Sequence, residues 1–386
     1  MDYIKVCSVG FIEEDTVIYK TIDLCAGLGG IRRGFEMTGH FKNVLSAEVD
    51  KIACLAYKHI FNEDAYNDLT TEEFKNKVQK IQYDILLAGF PCQTFSRAGK
   101  QEGFNNKTKG IIFLHILDII KLSRPKCIFL ENVDNLVTHN KGETFKEILM
   151  QIDNLNYQIV GVDNLNGDLS YNTKAFIRNS KYFGIPQNRP RIYIVAFDRK
   201  YYGKMLLPQQ MPEKSANKIY DNLNSLLDVD VDGKFFMSTG YLETLEKHAK
   251  REKEKGNGFG YRIVNEACNK NPVANTILAT GGSGKERNLI FDPQNGLKYE
   301  GKMIGSKKTP INSKYIRVMT PNEWGKLQGF INYAFKKNGK DTFTLPKVIS
   351  DAQLYKLFGN AVTIPVVECM AYFIYDILLR LDNNIS

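Results

Sequence analysis

From about residue 17 to residue 198, short runs rich in β-branched and aromatic residues alternate with stretches whose apolar residues recur every three or four positions. The runs are "VIYKTIDL", "NVLSAEVD", "YDILLAGF", "KCIFLENV", "NYQIVGVDNL" and "RIYIVAFD"; between them lie "GIRRGFEMTG", "KIACLAYKHIF", "GIIFLHILDIIKLS" and "TFKEILMQIDNL". Such alternation sets strands side by side with helical crossovers on the sheet faces, so the predicted class is α/β, a doubly wound, mostly parallel sheet. Near residue 200 the rhythm stops. A lysine-rich, irregular segment follows, with the charge run "EKHAKREKEKGNG", read as a solvated helix face, and the glycine cluster "ATGGSGKERN". At the end, "DAQLYKLFGNAVTIPVVECMAYFIYDILLRL" reads as a long amphipathic helix after a turn. The expected organisation is a first domain over 1–204, a second, smaller one over 205–345, and a segment 346–386 that completes the first.

Charge separates the two parts. The 386-residue chain carries a net +9, and residues 201–350 hold 24 Lys and Arg against 15 Asp and Glu, so the whole excess lies in that one segment. A basic segment on a neutral body suits a polyanion such as nucleic acid. The seven cysteines, at 7, 25, 54, 92, 127, 268 and 369, are odd in number and form no C-x-x-C pair. That argues against a disulfide framework and a structural zinc site, and points to a reducing, cytoplasmic setting. The N-terminus lacks the organisation of a signal peptide, and no apolar run is read as approaching the roughly 18 residues of a membrane span, so a soluble protein is expected.

Four stretches carry candidate chemistry. In "TIDLCAGLGGIRRGF" a strand runs into Gly27, Gly29 and Gly30 and then a helix, the arrangement in which backbone approaches a ligand at a helix N-terminus. Arg32 stands where the third glycine of a dinucleotide motif belongs, which favours an adenosine cofactor without a required pyrophosphate. Glu48 is placed to accept from a ribose diol and Asp68 from an adenine amino group; a surface carboxylate and an N-cap are their alternatives. In "GFPCQTFSRAG", Cys92 is either a small buried hydrophobe or a nucleophile at the carboxyl edge of the sheet, ahead of a glycine-rich basic loop. "FLENVDNL" delivers Glu131 and Asn132 to the same edge, Glu131 as a helix-capping carboxylate or as a desolvated acid. In "QNRPRIYIVAF", Arg189 and Arg191 are expected to alternate onto one strand face, where guanidinium groups suit a carbonyl oxygen and a phosphate.

Taken in order, these stretches resemble the cytosine-C5 DNA methyltransferase family of bacterial restriction-modification systems. "DLCAGLGG" resembles its cofactor glycine motif, "AEVD" its ribose carboxylate, "PCQTFS" its nucleophile motif, "ENV" its acid motif and "QNRPR" its Q-x-R-x-R motif; "RVMTPNEWGKLQGF" and "QLYKLFGNAV" resemble its two closing motifs. The resemblance spans about 20 to 365 and implies a class I S-adenosylmethionine-dependent, Rossmann-like fold with a smaller DNA-recognition domain. It implies methyl transfer from S-adenosylmethionine to C5 of a flipped cytosine in double-stranded DNA, with no metal. Cys92 would attack C6, Glu131 would hold N3 and the exocyclic amine, Arg191 would bind O2, and Arg189 would support the loop or a phosphate. The cofactor residues it implies are Asp23, Cys25, Ala26, Gly27, Leu28, Gly29, Gly30, Glu48, Val49, Asp68, Leu69, Gly89, Pro91, Asn360 and Ala361. A cognate restriction endonuclease acting on the same sequence and a monomeric state are the further expectations, with no membrane partner.

Two positions depart from the family pattern. Cys25 replaces a phenylalanine, so an aromatic contact to adenine is lost or supplied elsewhere, for instance by Val49; Lys109 replaces an arginine after the catalytic loop. Within the basic segment, read as a recognition domain over about 205 to 310, Arg287 is expected to read guanine from the major groove. A tRNA methyltransferase would tend to have a shorter recognition segment. An NAD-dependent oxidoreductase leaves "PCQ", "ENV" and "QNRPR" unexplained, and a catalytically silent binder would lack the cysteine or the acid, both of which are present.

Overall fold

The structure is a computed structural model that describes residues 17–91, 112–165, 167–257, 261–266, 268–280 and 284–384. Its first half is the expected alternation: β1 (Tyr19–Leu24), α1 (Gly30–Glu36), β2 (Phe41–Ala47), α2 (Lys51–Phe61), α3 (Glu72–Gln79), β3 (Ile85–Gly89), α4 (Ile112–Ser123), β4 (Cys127–Val133), α5 (Glu143–Asn154), β5 (Tyr157–Ile159), β6 (Ile177–Asn179) and β7 (Pro190–Asp198). Strands run in the order β2-β1-β3-β4-β7, with β5 and β6 both on β7. The pairs β1–β2, β1–β3 and β3–β4 are parallel, whereas β7 is antiparallel to β4, β5 and β6. Six strands therefore share one direction and β7 alone is reversed. The central strands are buried along nearly their whole length, which is why they read as continuous apolar runs rather than alternating ones.

The path of the chain opens a crevice. From β1 it passes through α1 to β2 on one side, then crosses back through α2 and α3 to β3 on the other side of β1. Right-handed crossovers place α1 on one face and α3 and α4, which touch each other, on the opposite face. The loops after β1 and β3 thus diverge between neighbouring strands, at the switch point where α/β sheets bind ligands.

The structure corrects three expectations of detail. The run "NYQIVGVDNL" is not one strand: the chain breaks at Gly161, whose φ is +78° and where a Cβ would stand 2.7 Å from the Gln209 carbonyl. Val162–Leu165 then pairs with Asp168–Tyr171 as a separate hairpin. The charge run lies in α6 (Thr239–Glu254), whose only buried residues are Leu242 and Leu245, and the first closing motif forms α7 (Pro321–Leu327). The C-terminal segment is two helices, α8 (Asp351–Asn360) and α9 (Ile364–Asn383), with Pro365 in the first turn of α9. Asp351–Asn383 is in addition long and apolar enough to cross a membrane by length and composition, contrary to the expectation of no such run, and 67% of its most apolar stretch is buried inside the protein. Its hydrophobicity is that of a core helix: α9 packs on α1 and joins the sheet core, and Asp382 near its end accepts from the Tyr19 and Tyr202 hydroxyls at 2.8 Å each.

A second core joins Leu28, Ala53, Ala56 and Ile185 to Leu223, Ile277, Trp324, Leu327, Phe330 and Phe358. Beside it Arg317, fully buried, donates to Asp292 at 2.7 Å and to both oxygens of Glu323 at 2.9 and 2.7 Å. Glu323 also closes a capping box with Thr320 at the start of α7. Removing one partner of such a network strands buried charge, so Arg317→Met should lower stability by about 3–5 kcal/mol, read as a fall in the urea denaturation midpoint.

Candidate active site

The glycine loop closes on itself through Glu48. Its Oε2 accepts from the Gly27 amide at 2.7 Å, and Oε1 accepts from the Val49 and Asp50 amides at 2.8 Å each. The carboxylate expected to meet a ribose thus stands at the end of β2, holding the loop that follows β1. Gly27 has φ +55° with open space where a Cβ would be, a cradle against which a ligand can lie. Cys25 also adopts a positive φ, of 55°, and burial pushes its thiol up. Asp23 is fully buried on β1; its Oδ2 accepts from the Arg32 amide at 3.3 Å and its Oδ1 has no partner among the described residues. Burial raises its pKa to about 8, against the opposing pull of the Arg32 amide.

Arg32 is directed away from the loop, towards Glu36, Glu63 and Tyr57. Asp68 is not an N-cap, since Thr71 caps α3; its Oδ1 accepts from the Thr70 hydroxyl and amide, which lowers its pKa, and the carboxylate is exposed. Leu69 is buried beneath it. Val49 is 57% exposed, and Tyr66, bridged to Glu48, is 61% exposed. Tyr66 was not singled out from the sequence, where an isolated tyrosine in a loop carries no signal. Ala26, Leu28, Gly29 and Gly30 form the buried floor of the turn into α1. From the C-terminal side, Val362 packs against Gly30, which brings Asn360 and Ala361 to the loop. Asn360 is exposed.

Glu131 lies in β4 and caps no helix. It sits in register with Gly89 of β3, and its Oε1 is 3.4 Å from Arg191 Nε. Burial raises the Glu131 pKa above its ordinary value, with Arg191 and Arg189 opposing the shift. Asn132, buried, donates from Nδ2 to the Phe90 carbonyl at 2.9 Å and accepts from the Val133 amide at 2.8 Å, which pins the start of the chain leading to Pro91. Pro91 is exposed. Cys92 itself, the polar residues after it and Lys109 lie outside the described residues.

The two arginines do not share a face. Arg189 precedes β7, where the chain is still turning, and its side chain is buried: it donates to the carbonyls of Ile277 at 2.9 Å, Gly359 at 2.9 Å and Ala361 at 2.8 Å. This burial supports the loop role expected of it and is incompatible with a phosphate contact. Arg191, within β7, donates to the Pro190 carbonyl at 2.7 Å and lines a cleft of about 620 Å³ with Val133, Asp134, Tyr261, Arg262 and Arg287. Gln187, Gln328 and Thr363 complete the buried network around Arg189: Gln187 donates to the Leu327 carbonyl at 2.9 Å, Gln328 to the Phe358 and Ala361 carbonyls at 2.8 and 2.9 Å, and Thr363 to Gln328 at 2.8 Å. Gln328 and Thr363 were not read from the sequence as site residues; only the motif around them marked the place.

A family model described as C-5 cytosine-specific DNA methylase matches residues 19–375. Type II methyltransferase M.HpaII of Haemophilus parainfluenzae is 38% identical over 359 residues, 91% of this chain and 87% of the relative. Type II methyltransferase M1.ScrFI of Lactococcus lactis subsp. cremoris is 36% identical, over 95% of this chain and 81% of the relative. The DNA-cytosine methyltransferase of Escherichia coli K12 is 32% identical, over 92% and 76%. Among solved structures, a Spodoptera frugiperda DNMT2 mutant has a TM-score of 0.62 at 19% identity, covering 92% of this chain and 99% of that one, a likeness of fold. With the glycine loop, the Glu131–Arg191 pair and the closing motifs gathered at one sheet edge, and with a match over nearly the whole chain, this protein belongs to the C-5 cytosine-specific DNA methylase family.

Proposed function

We propose that this chain transfers a methyl group from S-adenosylmethionine to C5 of cytosine within a short duplex DNA sequence, as the modification enzyme of a restriction-modification system. The observation that carries the reading is Glu131: a desolvated carboxyl with a raised pKa, paired with Arg191 at the mouth of a basic cleft, and in register with Gly89, three residues before Cys92. In this reading 205–345 is the target-recognition domain and hinge, and 346–386 completes the catalytic domain. The enzyme acts in the cytoplasm as a monomer, beside an endonuclease of the same sequence preference.

The residues at the loop fit an adenosine-bearing sulfonium. Gly27 leaves room for close backbone approach, Glu48 offers carboxylate oxygens for a ribose diol, Asp68 has an exposed carboxylate, and Val49 and Tyr66 present apolar surface. When bound, the cofactor supplies an electrophilic methyl group. The chain's own residues do the rest. The Cys92 thiolate forms a bond to C6 of the flipped base, and the displaced electron pair makes C5 nucleophilic. Protonated Glu131 donates to N3, and Arg191 donates to O2, so charge that builds on the ring meets donors already in place. After methyl transfer a base takes the C5 proton and the C6–S bond breaks, returning the thiolate.

Bisulfite sequencing of DNA from cells expressing the protein should show methylated cytosines within one short motif, absent with Cys92→Ala; label in RNA instead would move the assignment to tRNA methylation. Cys92→Ser should abolish turnover while retaining DNA binding, because an alkoxide is far less accessible than a thiolate at neutral pH; full activity of this variant would remove Cys92 from the mechanism. Glu131 acts in its protonated form, so the rate should fall as pH rises through its raised pKa. Glu131→Gln, which has no proton to lose, should turn over roughly 10²–10⁴-fold more slowly and lack that alkaline limb in a pH–rate profile.

A further inference from the structure

Two arginines that share the cleft with Arg191 have no task in the chemistry above. Arg262 and Arg287 are exposed, and neither guanidinium has a hydrogen bond or ion pair among the described residues. Their backbones lie side by side: the Arg262 amide donates to the Glu286 carbonyl at 2.8 Å, and the Leu289 amide donates to the Arg262 carbonyl at 2.9 Å. Glu286, the adjacent carboxylate, is engaged elsewhere, accepting from the Tyr241 hydroxyl at 2.8 Å. Among the described residues, Asp134 is the one carboxylate lining the cleft against three arginines, Arg191, Arg262 and Arg287.

The mounting of this pair is stiff. Asn275 Nδ2 donates to the Arg287 carbonyl at 2.7 Å. Asn288, buried, accepts from the Asn275 amide at 2.7 Å and donates to its carbonyl at 3.1 Å. Ala274–Asn275 in turn pairs in parallel with Gln187–Asn188, directly before Arg189 and Arg191, and the Thr276 hydroxyl donates to the Asn188 carbonyl at 2.7 Å. The backbone that carries Arg262 and Arg287 is therefore tied to the segment that carries the side chain assigned to the flipped cytosine. Exposed lysines tracking a phosphate backbone need no such scaffold. Two guanidinium forks with no protein partner among the described residues, mounted on backbone that is tied to the reaction centre, suit the O6 and N7 acceptors of guanine, which a guanidinium meets bidentately in the major groove.

We propose that Arg262 and Arg287 are specificity-determining residues that each read a guanine flanking the target cytosine. The inference rests on the methyltransferase reading above and adds to it the bases that the site must contain. The experiment is methylation profiling of DNA from cells expressing wild type, Arg262→Gln or Arg287→Gln. The wild-type motif should require guanine at two positions, and each variant should relax one of them, with discrimination falling roughly 10–100-fold. An unchanged guanine requirement in both variants overturns the assignment, as does an even loss of methylation over all sequences, the mark of phosphate contacts. No DNA methylation by the wild type sinks the methyltransferase reading and this assignment with it, whereas methylation with an unaltered motif in the variants sinks only this one. Against any failure of a variant to fold, the wild-type protein is assayed on synthetic duplexes of its motif carrying 7-deazaguanine, which lacks the N7 acceptor. A fall in kcat/KM at the two guanines is expected, and equal rates on both duplexes overturn the proposal.

Discussion

The molecule is held together at its working end by one buried guanidinium. Arg189 ties three parts of the chain that are far apart in sequence: it leaves the sheet just before β7, reaches Ile277 in the basic segment, and binds Gly359 and Ala361 at the end of α8. Burying a cation is costly unless its donors are satisfied; backbone carbonyls serve its two terminal nitrogens, its Nε has no partner among the described residues, and burial pushes the group's pKa well below its ordinary value. Gly359 shows how close the approach is, since a Cβ there would stand 2.4 Å from the Leu278 carbonyl. The end of the helix carrying Asn360 and the segment at Ile277 are therefore tied to the start of β7.

The acid site depends on the opposite treatment of a neighbouring arginine. Two residues on, the strand has begun, and Arg191 keeps its guanidinium at the cleft, close enough to Glu131 to orient it and not so buried as to be lost to a substrate. Glu131 is left with burial raising its pKa and two arginines restraining the shift, the direction that the proposed acid role calls for. Asp23 and Glu48 differ in a similar way at the glycine loop: Asp23 is buried and raised, whereas Glu48 accepts from the Gly27 amide of that loop and from the Val49 and Asp50 amides beyond β2.

Much of this was legible in the residues. The strands of the first half announced themselves because central parallel strands are apolar on both faces, and the site motifs of that half announced themselves because each lies in or beside a strand of the sheet. Where reading failed, a contact distant in sequence was responsible. Gly161 breaks an apparently continuous strand because its neighbour is the Gln209 backbone. The apolar C-terminal segment is a core helix because α1 and the sheet cover it.

By itself, the sequence determined the class of sheet, the order of the motifs, the chemistry available to Glu131, Arg191 and the glycine loop, and the place of the charge excess. These are properties of local pattern and residue type. Only the tertiary structure decided that Arg189 is a buried tie while Arg191 faces the cleft, that Asn132 pins the Phe90 carbonyl, and that Arg262 and Arg287 line the same cleft as Arg191. Alternation along a strand predicts a face, but burial, partner and register are set by segments tens to hundreds of residues away, and no local pattern encodes them.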